Sequence, residues 1–415
     1  MRLHTVVAAL SVLAVLGGAL VVGIFSGGAA GGDLSLRWLS DTGVPVSGNH
    51  HAVAAGRVDG EGMVFAPVSG QYNTTQCRLV ALDAGDGGER WHRQVPPEDC
   101  WIHSVATLRL ADYDGDGTPE VVSPTTEDEV FALDPASGNP ELSHPLDAYG
   151  YSRAAVGHLS SDSQRQIAVV DAKGTVFVID PNGTTAWTHR ARSFVWASPT
   201  IADFDGDGRN GLAVGFGGGF VTVYRGDGSV AWNRTLPDEG SLTWMTATDV
   251  DGDGATDVIP ATDAGRVYAL SGRDGHVVWS ADFGDFAAVH AVGDGDGDGT
   301  PEVYVTAKDG KLRALDARDG TVEWTTTLTA GSVQMTPPPV MGDVDGDGSP
   351  EVVAVTNEGA VDVVDPGSGE VLASYERDVP IWERATLADT DGDGDDEVYV
   401  MYGDGRVAAL DYADA

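Results

Sequence analysis

The chain reads as an all-β protein, an eight-bladed β-propeller of four-stranded antiparallel blades. Three observations lead there. First, from residue 33 onward short β-branched runs alternate with Gly- and Asp-rich turns, and no segment carries a helical period. Second, a Leu-Asp mark recurs about every 46 residues, a period that signals a repeat fold with four strand-like segments per copy. Its aspartate position falls at Asp83, Asp134, Asp180, Arg225, Ser271, Asp316, Asp365 and Asp411, which makes eight copies. Third, the eighth copy ends at Ala415 before its tryptophan strand, and the missing strand stands at the other end as Leu34-Ser-Leu-Arg-Trp38. An N-terminal strand that completes the last blade removes the open edge of the ring.

Ahead of the repeats, Met1-Arg2-Leu3-His4 precedes an uncharged apolar run from Thr5 to Phe25. At about 20 residues it is long enough to cross a hydrocarbon core as a helix. A signal-peptide apolar region is shorter, about 7–15 residues. The length favours a retained membrane anchor, with Gly28-Ala29-Ala30 as a cleavage site in the alternative of a secreted protein. Either way Arg2 stays on the cytoplasmic side and the rest is exported. The expected division is 1–32 for anchor and linker and 33–415 for the propeller.

Within the repeats the most informative stretch is Asp343-Val-Asp-Gly-Asp-Gly-Ser-Pro-Glu351. Carboxylates at positions one, three, five and nine, with a glycine at six for the sharp turn, suit a hard cation, and calcium accepts such oxygen ligands in flexible geometry. The full sets are Asp112, Asp114, Asp116 and Glu120; Asp249, Asp251, Asp253 and Asp257; and Asp294, Asp296, Asp298 and Glu302. Asp343, Asp345, Asp347 and Glu351, then Asp389, Asp391, Asp393 and Glu397, complete them. A sixth loop has Asp203, Asp205 and Asp207 but Gly211 at position nine, so it should bind more weakly. The expectation is five or six calcium ions. The matching stretches at Arg57 to Gly62 and His158 to Asp162 lack a full ligand set.

The acidic loops resemble the FG-GAP repeat of integrin α-type propellers. The Val-x-Ala-Leu-Asp…Asp-Gly…Trp stretches, clearest at Gly265 to Trp279 and Gly310 to Trp324, resemble the PQQ-like repeat of quinoprotein and assembly-factor propellers. Both resemblances imply a propeller, and the first implies structural calcium in the loop joining the first two strands of a blade. Quinone binding does not carry over, because no quinone-ligand set is recognisable and the two cysteines are not adjacent.

Composition narrows the partners. Asp and Glu number 64 against 24 Lys and Arg, for a formal charge of −40, and Lys173, Lys308 and Lys311 are the only lysines. Such a surface resembles proteins of extreme halophiles, where molar salt shortens the Debye length to roughly 3 Å and screens self-repulsion. A nucleic-acid partner is not expected, since phosphate binding needs a basic footprint. Export and an even count predict a disulfide between Cys77 and Cys100. Three Asn-x-Ser/Thr triplets, at Asn73, Asn182 and Asn233, fit an exported glycoprotein.

Strand alternation puts the acidic loops on one face and the entries to the inner strands on the other. Those entries carry His50, His51, Trp101, His103, Tyr151, Arg153, Trp196, Trp244, His290, Gln334, Trp382 and Arg384. Aromatics, histidines and arginines around a channel mouth suit a glycan or peptide ligand. No Gly-x-Ser-x-Gly, His-Glu-x-x-His or phosphate-binding glycine loop occurs. The leading expectation is a non-enzymatic, calcium-stabilised binding or scaffold module. The alternative is a polysaccharide lyase with His103 or His290 as base and Arg153 or Arg384 neutralising a uronate, with a quinone-dependent dehydrogenase third.

Overall fold

The computed structural model describes residues 32–160, 164–191, 193–237, 240–331 and 333–413. The apolar run Thr5 to Phe25, with the anchor or signal expected of it, lies outside these residues. None of the described residues forms a helix long and apolar enough to cross a membrane.

Eight four-stranded sheets follow one another around the chain, each paired in simple antiparallel order. Blade one is Ala54–Val58, Glu61–Val68, Arg78–Asp83 and Glu89–Gln94. The eighth is Thr386–Ala388, Glu397–Met401 and Val407–Ala413, with Asp33–Leu39 as its outer strand. The expected N-terminal closure is therefore present, with Leu36 opposite Leu410 and Leu34 opposite Tyr412. The only helical element among the described residues is one 3-10 turn, Pro97–Asp99.

The core lies between neighbouring blades. Second strands such as Glu120–Pro124, Gln166–Val170 and Glu351–Val355 are buried along their whole length because both faces meet another sheet. One cluster joins Phe65, Leu79 and Ala81 of blade one to Val121, Phe131 and Leu133 of blade two. Outer strands alternate instead, as in Glu89–Gln94, since one side faces water.

The repeat's tryptophan and glycine form a single joint between blades. The indole Nε1 of Trp38 donates to the Ala84 carbonyl (2.7 Å), Trp91 to Pro135 (2.9 Å) and Trp187 to Gly226 (3.0 Å). Trp232, Trp279 and Trp324 donate likewise to Gly272, Ala317 and Pro366. Each ring lies on a glycine of the next blade. A Cβ on Gly320, at φ 73°, would come within 2.7 Å of the Trp279 ring. Trp38 makes this joint from blade eight to blade one, so the closing strand both completes a sheet and locks the ring. In blades two and seven the position is Leu142 and Ala373.

Candidate functional site

Each acidic loop joins the first and second strands of its blade. In the Asp343 loop the carboxylates first fold the loop itself. Gly346 N–H and Gly348 N–H donate to the two oxygens of Asp343 (2.8 and 2.9 Å), Asp347 N–H to Asp345 (3.1 Å) and Ser349 N–H to Asp347 (2.7 Å). The position-nine carboxylate returns at the start of the second strand, where Glu351 Oε2 accepts from Val344 N–H (3.0 Å). Glu120, Asp257, Glu302 and Glu397 make the same return bond, to Tyr113, Val250, Gly295 and Thr390. Gly211 cannot make it. Gly348 sits at φ 87°, so its missing Cβ permits the turn.

The donor set fits a cation of calcium's type. Carboxylate oxygens of Asp294, Asp296, Asp298 and Glu302 converge within 4.8 Å of one another, as do those of Asp112, Asp114 and Glu120. Sets from Asp203, Asp205 and Asp207 and from Asp249, Asp251 and Asp257 do the same. Glu302 Oε1 is buried with no hydrogen-bond partner. Burial, then the neighbouring acids, push Glu120, Glu302 and Glu351 up to about 7. A divalent cation would relieve both features. Three loops carry an arginine as well. Arg37 of the closing strand reaches Asp391 (3.3 Å) and Glu397 (3.2 Å), Arg165 pairs with Asp112 (3.3 Å), and Arg273 pairs with Asp253 (2.6 Å). The Arg57 to Glu61 stretch is instead a tight hairpin through Asp59 and Gly60, both at positive φ, with Val58 opposite Glu61.

The inner-strand entries meet on the other face, around a cup of about 300 Å³. His50, His103, Tyr151, Trp196, Trp244, Gln334 and Trp382 all line it. Tyr151 and Trp196 are linked through Phe194 (ring centroids 5.3 and 6.3 Å), and Trp196 and Trp244 through Phe286 (6.3 and 5.8 Å). Phe286 holds φ 41°, a strained backbone that presents its ring between the two indoles. Trp382 is tied by Nε1–H to the Ser47 carbonyl (3.0 Å).

Below the cup, and sharing His50, Tyr151, Trp196, Trp244 and Glu383 with it, a second cavity of about 300 Å³ continues as a channel. Arg153, His290 and Arg384 lie here, deeper than the mouth position expected for them, together with Arg109. Arg384 pairs with Glu383 (3.1 Å) and Arg109 Nε–H donates to the Ala154 carbonyl (3.0 Å). Among the described residues no carboxylate lies within ion-pair distance of Arg109 or Arg153. Burial, then Arg384, pushes Arg109 down to about 10, and burial with both other arginines lowers Arg153 strongly. His290 is lowered well below its usual range by burial and then by the three arginines, and is neutral at pH 7. The channel is thus a positive well in a very acidic protein.

Cys77 and Cys100 are joined. The bridge anchors the segment that carries Trp101 and His103, whose rings meet edge-on at 4.8 Å. Arg109, Phe194, Phe286 and Glu383 were not singled out from the sequence. Phe286 and Glu383 precede inner strands as the chosen residues do, so position was a usable signal. Nothing in the sequence shows that Arg109 faces the same channel.

Comparisons with known proteins agree with this architecture. A family profile described as outer membrane protein assembly factor BamB matches residues 75–253 and 263–415. Among solved structures, BamB from Moraxella catarrhalis superposes with TM-score 0.62 at 15% identity, over 91% of this chain and 97% of that one. The biofilm matrix protein Bap1 of V. cholerae gives TM-score 0.68 at 13% identity, over 92% and 91%. Quinohemoprotein alcohol dehydrogenase from Comamonas testosteroni gives 0.63 at 14% identity, over 91% and 76%. A curated relative, the glycerol dehydrogenase large subunit of Gluconobacter thailandicus, is 32% identical over 98 residues, 20% of this chain and only 13% of its own length. The structural likenesses are too distant in sequence to carry more than the fold. The profile spans most of the chain, however, and the protein belongs to the PQQ-like repeat family described by BamB.

Proposed function

We propose that the protein is an exported binding or scaffold propeller, stapled by calcium on one face and receiving an acidic glycan on the other. The observation that carries this is the aromatic cup opening onto an arginine-lined channel. Indole and phenol faces suit the apolar faces of sugar rings, and Arg109, Arg153 and Arg384 suit a carboxylate or sulfate at the tip. An assembly factor and a biofilm matrix protein among the structural neighbours fit a binding role. The run Thr5 to Phe25 supports display at a membrane surface, and the converging carboxylates of the Asp112, Asp203, Asp249 and Asp294 loops, with the same spacing in the Asp343 and Asp389 loops, support five or six calcium ions.

The test is binding of polyuronides, sulfated glycans and neutral glycans to the full chain in calcium, read by tryptophan fluorescence. Saturable binding of an acidic glycan, lost in Trp196→Ala/Trp244→Ala, is expected. Binding only of neutral glycans, or of none, would sink the reading.

A second reading, a polysaccharide lyase, is favoured by neutral His290 beside Arg153 and Arg384, the arrangement a base needs next to a neutralised uronate. Formation of unsaturated product from a polyuronide distinguishes it, since a binder releases none. Dye-linked oxidation with added quinone and calcium would instead move the protein toward the dehydrogenases.

A further inference from the structure

The throat between cup and channel holds a cluster that neither calcium nor a glycan accounts for. His50, His51 and His103 each place one ring nitrogen within 4.8 Å of the other two. Their rings are 4.4 Å (His50 to His51), 4.7 Å (His50 to His103) and 6.3 Å (His51 to His103) apart. His50 Nδ1 lies 2.6 Å from the Gly48 carbonyl, which can only accept, so Nδ1 carries the proton and Nε2 presents its lone pair. That Nε2 lies 2.8 Å from His103 Nδ1. On His51 the Thr107 hydroxyl engages Nδ1 (3.4 Å), while Nε2 is buried with no hydrogen-bond partner.

We propose that His50, His51 and His103 form a three-imidazole site for one divalent transition ion, with zinc as the best-fitting ion. Three facts of geometry support it. An unpartnered buried ring nitrogen is costly, and a metal would be the partner that His51 Nε2 lacks. Two of the three rings are held through their other nitrogen by a carbonyl or a hydroxyl, the arrangement that orients metal-bound histidines. Tetrahedral zinc with nitrogens at about 2.0–2.1 Å needs ligand spacings of about 3.3 Å, and the His50–His103 contact opens to that with a small ring movement. Binding replaces the proton between His50 Nε2 and His103 Nδ1 with the ion; that proton passes to His103 Nε2, so all three ligands stay neutral imidazoles and no net proton is released.

Ligand type separates this site from the acidic loops. Imidazole nitrogen selects zinc, copper or nickel, whereas calcium takes oxygen. The bridge at Cys100 and the ring of Trp101 hold the third ligand in place from outside. The fourth position faces the cup, where Tyr151 packs within 6 Å of all three rings. Three protein ligands with one open place is the pattern of zinc sites that bind water or a substrate oxygen, so an anionic ligand entering the cup meets the ion before the arginines.

The experiment uses the full chain, stripped with chelator and then saturated with calcium so that the acidic loops are filled. Cobalt is titrated in and the visible spectrum followed. One cobalt with intense tetrahedral bands, displaced by one equivalent of zinc but not by more calcium, is expected. His50→Gln/His103→Gln, at two half-buried positions, should abolish those bands while near-ultraviolet circular dichroism stays unchanged. Thr107→Val keeps all three imidazoles and should weaken binding about tenfold, at the low end for loss of an orienting partner. Only pale octahedral cobalt, or tetrahedral bands that persist in the double variant, would overturn the proposal. Glycan binding by the zinc-free protein is a separate readout, so failure of either idea leaves the other standing.

Discussion

Replacing Gly320 by alanine tests the blade joint directly. Gly320 sits at φ 73°, where a Cβ costs about 1–2 kcal/mol. The added Cβ would also lie 2.7 and 2.8 Å from Trp279 Cε3 and Cδ2, so the ring must move. Moving it breaks the Trp279 Nε1–H bond to the Ala317 carbonyl (2.6 Å), and leaving that buried indole N–H unpaired costs about 1–3 kcal/mol. The expected penalty is therefore about 2–5 kcal/mol. Gly183 supplies a control within the same molecule. It sits at φ 80° in the matching turn of blade three, but blade two offers Leu142 in place of tryptophan, and no atom lies within 4 Å of a Cβ there. Gly183→Ala should cost only the backbone strain, about 1–2 kcal/mol. Urea unfolding followed by circular dichroism, in calcium, measures both. In a Trp279→Leu background the Gly320→Ala penalty should fall to the Gly183 value, a coupling of about 2 kcal/mol in the double-mutant cycle. Equal penalties at Gly320 and Gly183, or no coupling to Trp279, would refute the joint as the device that fixes blade to blade.

Calcium added to the stripped chain should raise the melting temperature strongly with five or six ions bound, and calorimetry that finds none would remove the staples. Glu302→Gln should destabilise in calcium yet stabilise in chelator, because it removes both a ligand and a buried charge; the same sign in both buffers would contradict that role. In chelator, Glu120, Glu302 and Glu351 bind protons more tightly folded than unfolded, so stability should fall as pH rises from about 4.5 to about 7. Calcium should reverse that trend, as a pair of thermal-melt series across pH would reveal. Cys77→Ser/Cys100→Ser should cost about 3 kcal/mol by the loop-entropy relation, measured by urea unfolding. Acidic-glycan affinity should hold or rise as salt increases, since the net charge of −40 repels the ligand at low salt while the buried arginines are screened little; a steep loss with salt would place the ligand on the open surface.

The repeat architecture was legible because its marks are local. Leu-Asp, Asp-Gly and Trp recur at a near-constant spacing, in most blades marking a turn or a joint, so the spacing counts the blades even where a single mark is replaced, as by Arg225, Ser271, Leu142 and Ala373. The closing strand was legible for the same reason: Trp38 stands where one more tryptophan strand was due. The acidic loops were equally plain, since all their carboxylates lie within nine residues. The mouth residues were partly legible, because strand alternation assigns each inner-strand entry to a face without saying how deep a side chain sits.

Depth and company depend on the closed ring. Arg153, His290 and Arg384 come from blades far apart in the chain, and only closure places them with Arg109 below the mouth. Phe286 bridges Trp196 and Trp244 across blades through a backbone angle that no local pattern announces. His50 and His103 are 53 positions apart, and their ring nitrogens meet at 2.8 Å only because blades one and two pack side by side. Periodic, short-range chemistry sets the number of blades, the closure and the acidic loops. The convergence of side chains from different repeats is a long-range packing outcome, and it alone makes the aromatic cup, the positive channel and the histidine cluster.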